Sequence, residues 1–259
     1  APDHEVLAIA EAMKRGYSDR AIYMGDPDFI EVPVERLSSV EYADQRRSGI
    51  SLSKATPSRE LSELHSFSSE SSETTHFSII DSEGNRVSAT LSINGLFGAA
   101  FTAGDTGVLL NNHMNDFVLA PGIPNMYGLI GTTANLIQPQ KRPLSSMSPT
   151  FVEDKRGVLI LGTPGGSRII SMVILGILDF MLNTEVDAYR MVAEPRFHHQ
   201  FIPDRIEVEP EGFSEEWISG LENKGHKVKI GSRKWGNMQV IFFDKKTGRT
   251  QGANDPRGR

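Results

Sequence analysis

Cysteine is absent from the 259 residues of this chain, and its absence limits the chemistry available to the protein. Without cysteine there are no disulfides, no thiolate metal ligands and no cysteine nucleophile. The cellular compartment stays open, because a reducing cytosol and an export route both tolerate a protein without cysteine.

Long apolar runs and blocks of basic residues are also missing. The longest apolar stretch, Arg168–Leu182, is shorter than the roughly 20 residues of a membrane span, so it predicts a buried helix. The formal net charge is −6, and no basic stripe with interleaved aromatic residues occurs. The sequence therefore predicts neither a membrane span nor a nucleic-acid partner. The composition, 38% hydrophobic and 23% charged, fits one large domain or two small ones.

In the first part of the chain, apolar residues recur at helical spacing. Val6, Ile9 and Met13 predict a helix over residues 4–21. Residues 46–73 are rich in Ser, Glu, Lys and Arg and show little periodicity, which predicts an exposed linker. A domain boundary is therefore expected at the end of this linker, which separates residues 1–73 from residues 74–259.

Beyond the boundary the pattern changes to the strict alternation that is typical of strands. Apolar Phe77 and Ile79 alternate with polar residues, and the same holds on the other side of the turn "SEGN". A three-residue loop with Gly84 in a left-handed conformation pairs Ile79 with Val87, whereas a two-residue loop would mix apolar and polar faces. The sequence therefore predicts a hairpin with one apolar face.

Thr74 and Thr75 open this hairpin directly after the linker. The register places Thr74 on the polar face opposite Ser92, and Thr75 on the apolar face. A threonine hydroxyl is a poor nucleophile unless a base lies beside it, and its own α-amine becomes available when the preceding peptide bond is cut. The alternative is a simple strand start, because threonine favours strands.

Further strands and helices are expected downstream. "GVLILGTPGGSRII" is typical of a buried strand, a Gly-rich turn and a helix. Strands are also expected at 204–209 and 238–243, and a helix at 214–224.

The turn Gly162–Arg168 contains consecutive glycines at a helix start. Exposed backbone N–H groups there suit a phosphate or a developing oxyanion, and no Gly-Lys-Ser/Thr follows to support a phosphate loop. A tight turn without function is the alternative. Upstream of the turn, Ser145 and Ser146 present two hydroxyls in "KRPLSSMSPT", which is a candidate cradle for a carboxylate.

The segment "LLNNHMNDF" (Leu109–Phe117) gathers five polar groups in seven residues. His113 and Asp116 lack a second strong ligand nearby, so a metal site is not favoured, and a polar turn is the alternative. The adjacent histidines of "PRFHHQ" are interpreted as structural, because neighbouring residues of a strand point to opposite faces.

Taken together, "TTHFS", "LLNNHMNDF", "PGIPNMYGLIG", "KRPLSSMSPT", "GTPGGSR" and "PRFHHQ" occur in the order found in γ-glutamyltranspeptidases. The chain resembles that family over nearly its whole length. The family consists of N-terminal-nucleophile hydrolases that cut themselves into a large and a small subunit. The resemblance implies an α+β fold of the αββα sandwich type, with 74–259 as the small subunit and 1–73 as the C-terminal part of the large one.

The resemblance also implies a role for individual residues. It makes Thr74 the nucleophile after self-cleavage between Glu73 and Thr74, with Ser92 as its hydrogen-bond partner and no cofactor or metal. The other implied site residues are Asn94, His113 and Asp116 for the α-amino end of the donor, Ser145 and Ser146 for its α-carboxylate, Gly165 and Gly166 for the oxyanion hole, and Tyr127 for a lid loop.

Three departures from the family pattern stand out. His113 replaces a Gln or Glu. The long segment that precedes this region in the family is absent, and with it an Arg that is expected to bind the donor carboxylate. The chain also stops at "DPRGR", a little before the usual end of the family. Because the sheets would stay partly uncovered, we expect the missing large-subunit segment or a companion chain to complete the site.

The implied reaction is attack by Thr74 on a γ-glutamyl amide such as glutathione, followed by transfer of the acyl group to water or an acceptor amine. The alternatives are a related amide acylase, of the cephalosporin or poly-γ-glutamate type, and a non-catalytic subunit that keeps the fold. A periplasmic or extracellular location is expected from the family alone.

Overall fold

The computed structural model describes residues 2–62 and 74–258, and the predicted cleavage position at Glu73 therefore lies outside the described residues. The described α-helices are α1 (Pro2–Tyr23), α2 (Val34–Leu37), α3 (Val40–Ser48), α4 (Arg168–Leu182), α5 (Ala188–Ala193) and α6 (Glu215–Asn223). The described strands are β1 (Thr75–Ile80), β2 (Arg86–Leu91), β3 (Thr150–Glu153), β4 (Gly157–Gly162), β5 (Phe197–His198), β6 (Ile206–Val208), β7 (Val228–Ile230), β8 (Gln239–Asp244) and β9 (Thr250–Asn254).

The described residues divide into two units, and each unit draws on several stretches of the chain. Unit 1 contains the described residues up to 62 together with 113–145 and 197–231. Unit 2 contains 74–112, 146–196 and 232–258. The predicted boundary at residue 73 stays a prediction, and it does not separate these two units, because unit 1 takes residues from both sides of it.

In unit 1, helix α1 confirms the predicted N-terminal helix. Leu7, Ala10, Met13 and Tyr17 are buried at the spacing of one helix face. The helix packs near α6 and α3, and β5, β6 and β7 form a separate three-stranded sheet.

Polar and charged residues of α1 are also buried, and they fix the segment that follows α3. The ammonium of Lys14 lies 2.9 Å from the Glu11 carboxylate and donates to the Thr56 carbonyl at 2.5 Å. The Thr56 N–H donates to Glu11 at 3.0 Å, and Arg15 also binds Glu11. The buried charges of Glu11, Lys14 and Arg15 thus have partners of opposite sign, which offset the cost of removing them from water.

The predicted exposed linker is therefore too broad in its first half. Helix α3 extends to Ser48, and Ala55 and Ser58 are buried. The hydroxyl of Ser58 donates to the carbonyl of Phe201 at 2.6 Å, and its N–H donates to Asp204 at 2.8 Å. Residues 63–73, the second half of that prediction, lie outside the described part of the chain.

Unit 2 begins with the predicted hairpin, and its register is confirmed. Ile79 pairs with Val87 and Phe77 with Ala89. Gly84 adopts the expected positive φ of 85°. The assigned strand starts at Thr75 rather than Thr74, a difference of one residue that leaves the register unchanged.

Three layers stack in unit 2. The hairpin packs on the antiparallel sheet β3–β4–β8–β9, and α4 and α5 pack against that sheet. Strand β4 is buried throughout, and α4 buries one apolar face that includes Met172 and Phe180. These layers account for both sheets and one helical layer of the αββα sandwich implied by the resemblance.

The outer face of the hairpin is apolar and exposed. Phe77 is 40% exposed, Ile79 48%, Val87 42% and Leu91 55%. Polar His76, on the opposite face, is buried instead. The layer that an αββα sandwich would place over the apolar face is not found among the described residues of unit 2.

No helix in the described part of the chain combines the length and the apolar character needed to cross a bilayer. Helix α4 is buried in unit 2, as the sequence predicted.

Candidate active site

Thr74 lies at the start of β1 with its hydroxyl facing Ser92. The two side-chain oxygens are 3.1 Å apart, which confirms the cross-strand pairing expected from the register. The backbone N–H of Asn94 donates to the Ser92 hydroxyl oxygen at 2.8 Å. Either hydroxyl can be the donor in the contact with Thr74, because Ser92 keeps its O–H and one further acceptor position after it accepts from Asn94.

Asn94 is buried and has a positive φ of 75°, a conformation that asparagine tolerates better than most residues. Its amide nitrogen donates to the Asn112 carbonyl at 3.1 Å. The Asn112 side chain in turn accepts from the Gly95 N–H at 2.8 Å. Asn112 thus fixes the turn that follows Ser92, and sequence reasoning gave it no separate role.

His76 is a second residue without a role in the sequence prediction. Its Nδ1 lies 2.7 Å from the Thr90 hydroxyl and its Nε2 lies 3.1 Å from the Ser78 hydroxyl. Burial lowers the pKa of His76 to about 4, so the imidazole is neutral near pH 7. A Cβ at Gly162 would collide with its ring, so this glycine is needed for the close approach of β1 to the end of β4. The alternation of "TTHFS" places Thr74 and His76 on one strand face, and this was the sequence signal that could have identified His76.

The Gly-rich turn connects β4 to α4. Gly165 has φ of 147° and Gly166 has φ of 56°, conformations that L side chains rarely adopt. Their carbonyls accept from Arg168 and Ile169 at the helix start, at 3.1 and 3.3 Å. No backbone carbonyl of the described residues accepts from either glycine N–H. Two N–H groups at a helix N-terminus can stabilise negative charge.

His113 and Asp116 occupy one short 3-10 turn of unit 1. The Nδ1 of His113 lies 2.8 Å from the Asp116 carboxylate, which can only accept, so the imidazole donates. Burial raises the pKa of Asp116, and the hydrogen bond from His113 and the charge of Arg20 oppose this rise. The pair forms a partly buried acidic site.

Ser145 and Ser146 lie beyond a loop that is held by charge. The backbone N–H of Arg142 donates to Asp26 at 2.7 Å, and its guanidinium binds both Asp26 and Asp28. The bound guanidinium holds the pKa of Asp26 well below its usual range. Ser145 is exposed and Ser146 is half-buried.

Tyr127 is buried in unit 1. Its N–H donates to the Asn125 side chain at 3.0 Å, and its carbonyl accepts from Gln200 at 3.2 Å. The lid role of this residue remains a prediction.

Within the described ranges 2–62 and 74–258, no group of three or more His, Asp or Glu side chains could hold a metal ion. His198 and His199 are both buried. His198 binds Gln200 at 2.9 Å, and His199 accepts from the Phe201 N–H at 3.1 Å.

The structure thus brings some of the predicted site residues together within each unit. In unit 2, Thr74, Ser92 and Asn94 form one hydrogen-bonded group, and Gly165 and Gly166 form the turn at α4. In unit 1, His113 contacts Asp116.

Comparison with known proteins identifies relatives in the family that the sequence motifs resemble. The family model described as gamma-glutamyltranspeptidase matches residues 2–259. A glutathione hydrolase proenzyme of Escherichia coli (strain K12) is 45% identical over 96% of this chain and 42% of its own length. An acylase ACY 1 proenzyme of Pseudomonas sp. (strain V22) is 36% identical over 92% of this chain and 40% of its own length. This chain therefore spans about two fifths of the curated relatives it matches.

Solved structures agree with this result. A variant of Helicobacter pylori gamma-glutamyltranspeptidase superposes with a TM-score of 0.67 at 40% identity. The match covers 71% of this chain and 100% of that chain. The likeness supports the α+β fold with the N-terminal-nucleophile architecture expected from the sequence.

Proposed function

We propose, from the premise that this chain belongs to the γ-glutamyltranspeptidase family, that it carries the catalytic residues of an enzyme that hydrolyses or transfers γ-glutamyl groups. The observation that carries the proposal is a contact between two hydroxyls, in which Thr74, directly before β1, and Ser92, directly after β2, lie 3.1 Å apart. Cleavage at the predicted position would leave this threonine at a new N-terminus, beside its hydrogen-bond partner.

The first proposed step is self-cleavage. The Thr74 hydroxyl oxygen attacks the carbonyl carbon of Glu73, the peptide C–N bond breaks, and the proton of the hydroxyl moves to the nitrogen, which becomes the free α-amine of Thr74. Water then hydrolyses the resulting ester. The match to the solved chain covers 71% of this chain, about 184 residues, which is close to the 186 residues from Thr74 to Arg259. The relatives named proenzymes also support processing.

The second proposed step is acyl transfer. The α-amine of Thr74 accepts the proton of its own hydroxyl while the oxygen attacks the γ-carbonyl carbon of the donor. The N–H groups of Gly165 and Gly166 stabilise the oxyanion of the tetrahedral intermediate. The leaving amine takes the proton, an ester on Thr74 remains, and water or an acceptor amine receives the acyl group.

Donor recognition is assigned to polar residues of the sequence motifs that carry the family resemblance. Asp116, with the imidazole of His113 beside it, offers negative charge to the donor ammonium. Asn94 is proposed to contact the same end, and Ser145 and Ser146 to bind the α-carboxylate. Tyr127 is proposed for the lid.

A further segment is proposed to complete the enzyme. This chain spans 42% of the Escherichia coli relative, and the apolar face around Phe77, Ile79 and Leu91 is exposed. A preceding large-subunit segment that covers this face would bury the apolar area and add the missing layer. Export to the periplasm or the extracellular space is part of the same proposal.

The second candidate function is that of an amide acylase. The Pseudomonas acylase ACY 1 proenzyme favours it, because that relative is 36% identical to this chain. Both functions use the same nucleophile and differ in the acyl group that is recognised.

The test uses the complete protein, including any segment that precedes residue 1. Mass spectrometry after incubation should show a fragment that begins at Thr74, and the protein should hydrolyse a chromogenic γ-glutamyl anilide. Thr74→Ala should abolish the fragment and reduce hydrolysis to background, because both steps need the hydroxyl.

Thr75→Ala is the matched control, since Thr75 is the exposed neighbour on the other face of β1. It should cleave and turn over normally. Cleavage that survives in Thr74→Ala, or a fragment that begins at Thr75, contradicts the assignment. Hydrolysis of simple acyl anilides but not of the γ-glutamyl anilide supports the acylase.

A further inference from the structure

Asn135 is a buried asparagine that links two loops of unit 1. It ends a short 3-10 turn, Thr133–Asn135, and only 6% of its surface is exposed. Its amide nitrogen donates to the Asp116 carbonyl at 2.9 Å. Its amide oxygen accepts from the Leu144 N–H at 3.1 Å. The amide orientation is fixed by chemistry, because a carbonyl can only accept and an N–H can only donate.

The two partners of Asn135 belong to the two ends of the proposed donor site. Asp116 is proposed to bind the donor ammonium. Leu144 directly precedes Ser145, which is proposed to bind the α-carboxylate. One side chain therefore connects the backbone that presents the ammonium-binding group to the backbone that presents a carboxylate-binding group.

Other contacts restrict the same two loops. The Val118 N–H donates to the carbonyl of Asn135 at 3.0 Å, so the backbone of Asn135 is also tied to the Asp116 loop. On the other side, Asp26 accepts from the Arg142 backbone N–H at 2.7 Å, two residues before Leu144. Asn135 thus forms hydrogen bonds with both loops.

We propose that Asn135 is a positioning residue for donor recognition, which holds the ammonium-binding Asp116 and the carboxylate-binding Ser145 at a fixed separation. The proposal rests on the function proposed above. The ammonium and carboxylate of an α-amino acid are attached to the same carbon, so their separation is fixed. A site gains affinity from binding both only if its ammonium-binding and carboxylate-binding groups are held at the matching distance. Buried hydrogen bonds are suited to this task, because leaving either partner without one is costly.

The experiment compares three donors in the complete, processed protein. The γ-glutamyl anilide carries both groups, the glutaryl anilide lacks the amine, and the 4-aminobutyryl anilide lacks the carboxylate. Asn135→Leu removes both side-chain bonds at similar volume. It should raise KM for the γ-glutamyl donor by about 10- to 100-fold with kcat changed by less than about threefold, because binding rather than chemistry is lost.

For the two truncated donors the same variant should change KM by less than about threefold, because each uses one end of the site only. Asn135→Asp keeps the acceptor for Leu144 but places a carboxylate oxygen against the Asp116 carbonyl. It should raise KM for the two donors that carry an amine and leave the glutaryl anilide unaffected.

Thr132→Ala is the matched structural control. The Thr132 hydroxyl accepts from the Ala134 N–H at 3.3 Å at the start of the same turn, so its loss loosens the turn without removing the link. An equal rise of KM in this control, or an equal rise for all three donors in Asn135→Leu, overturns the proposal.

If Asn135→Leu does not fold or process, Asn135→Asp decides, and donor affinities equal to wild type overturn the positioning role. A wild-type protein that turns over none of the three donors overturns the proposed function, on which this inference rests. A wild-type protein that turns over the γ-glutamyl donor, with unchanged KM in both Asn135 variants, overturns this inference alone.

Discussion

The resemblance to the family predicts a Gln or Glu at the position of His113, and the contact that His113 makes shows what an imidazole would change there. The imidazole donates through Nδ1 to Asp116 at 2.8 Å. That bond favours the ionised carboxylate, whereas burial favours the protonated one. The pKa of Asp116 is raised on balance, so this residue limits donor binding on the acid side if it binds the ammonium.

Replacing His113 by Leu should move the acid limb of kcat/KM to higher pH. The bond from His113 lowers the pKa of Asp116, so its removal raises that pKa further and the carboxylate becomes protonated earlier as the pH falls. His113→Gln is the matched control, because its amide can still donate. The measurement is kcat/KM for the γ-glutamyl anilide between about pH 4 and 8. Superimposed profiles for wild type and His113→Leu mean that Asp116 does not bind the ammonium.

At the scale of elements, the register of the hairpin could be predicted from the sequence, but the face that it buries could not. Alternation and Gly84 were sufficient for the register, and the register placed Thr74 opposite Ser92. Which face is buried could not be predicted, because it depends on the sheet that packs against the hairpin. The polar face with His76 turned out to be the inner one.

The close contact between β1 and the end of β4 predicts a sharp effect of Gly162→Ala. The new methyl group would collide with the His76 ring, so the variant should lower the free energy of unfolding by about 1–3 kcal/mol. It should also lower kcat, because the turn with Gly165 and Gly166 begins one residue later. Thermal unfolding and steady-state kinetics measure the two effects.

Gly252→Ala is the control for this change, since a Cβ at that position of β9 meets no atom within 4 Å. It should behave as wild type. If Gly162→Ala also leaves stability and kcat unchanged, the contact between His76 and β4 is not a constraint on the turn.

Short elements and long-range polar contacts were not predictable from the sequence. Strand β9 has no apolar alternation and forms because β8 offers it a partner edge. Ala55 and Ser58 lie in a polar stretch, and their burial depends on Glu11 and Asp204, which are distant in sequence. In the sequence, Asn112 and Asn135 look like ordinary loop residues. Their hydrogen bonds join loops that are separate in the sequence and meet only in the folded protein.

At the scale of the whole molecule, buried histidines lie in both units. His226 is near Glu11, Lys14, His199 and Asp204 in unit 1, and burial is the main reason that its pKa falls to about 4. His76 in unit 2 has a pKa of about 4 for the same reason. Well above about pH 6.5, the ordinary pKa of histidine, both are neutral in the folded and unfolded protein, so neither affects stability there.

The free energy of unfolding should therefore decrease as the pH falls from about 6.5 to about 4. In this range the unfolded chain binds protons at these histidines and the folded chain does not, and the slope per histidine is at most about 1.4 kcal/mol per pH unit. Urea unfolding at several pH values measures it. His226→Gln and His76→Gln should each flatten the dependence, and a double variant with the wild-type slope contradicts the prediction.

Unit 1 takes residues from both sides of the proposed cut. Cleavage would therefore change its unfolding from a reaction of one chain to a reaction of two chains. Before cleavage, unit 1 forms within one polypeptide, and its stability does not depend on protein concentration. After cleavage, the helix α1 and the segment around Thr56 belong to one polypeptide, and residues 113–145 and 197–231 belong to another. Unfolding then becomes a dissociation governed by mass action, so dilution favours the separated chains. A protein that is cut once therefore depends on its assembled partner fragment for the rest of its lifetime.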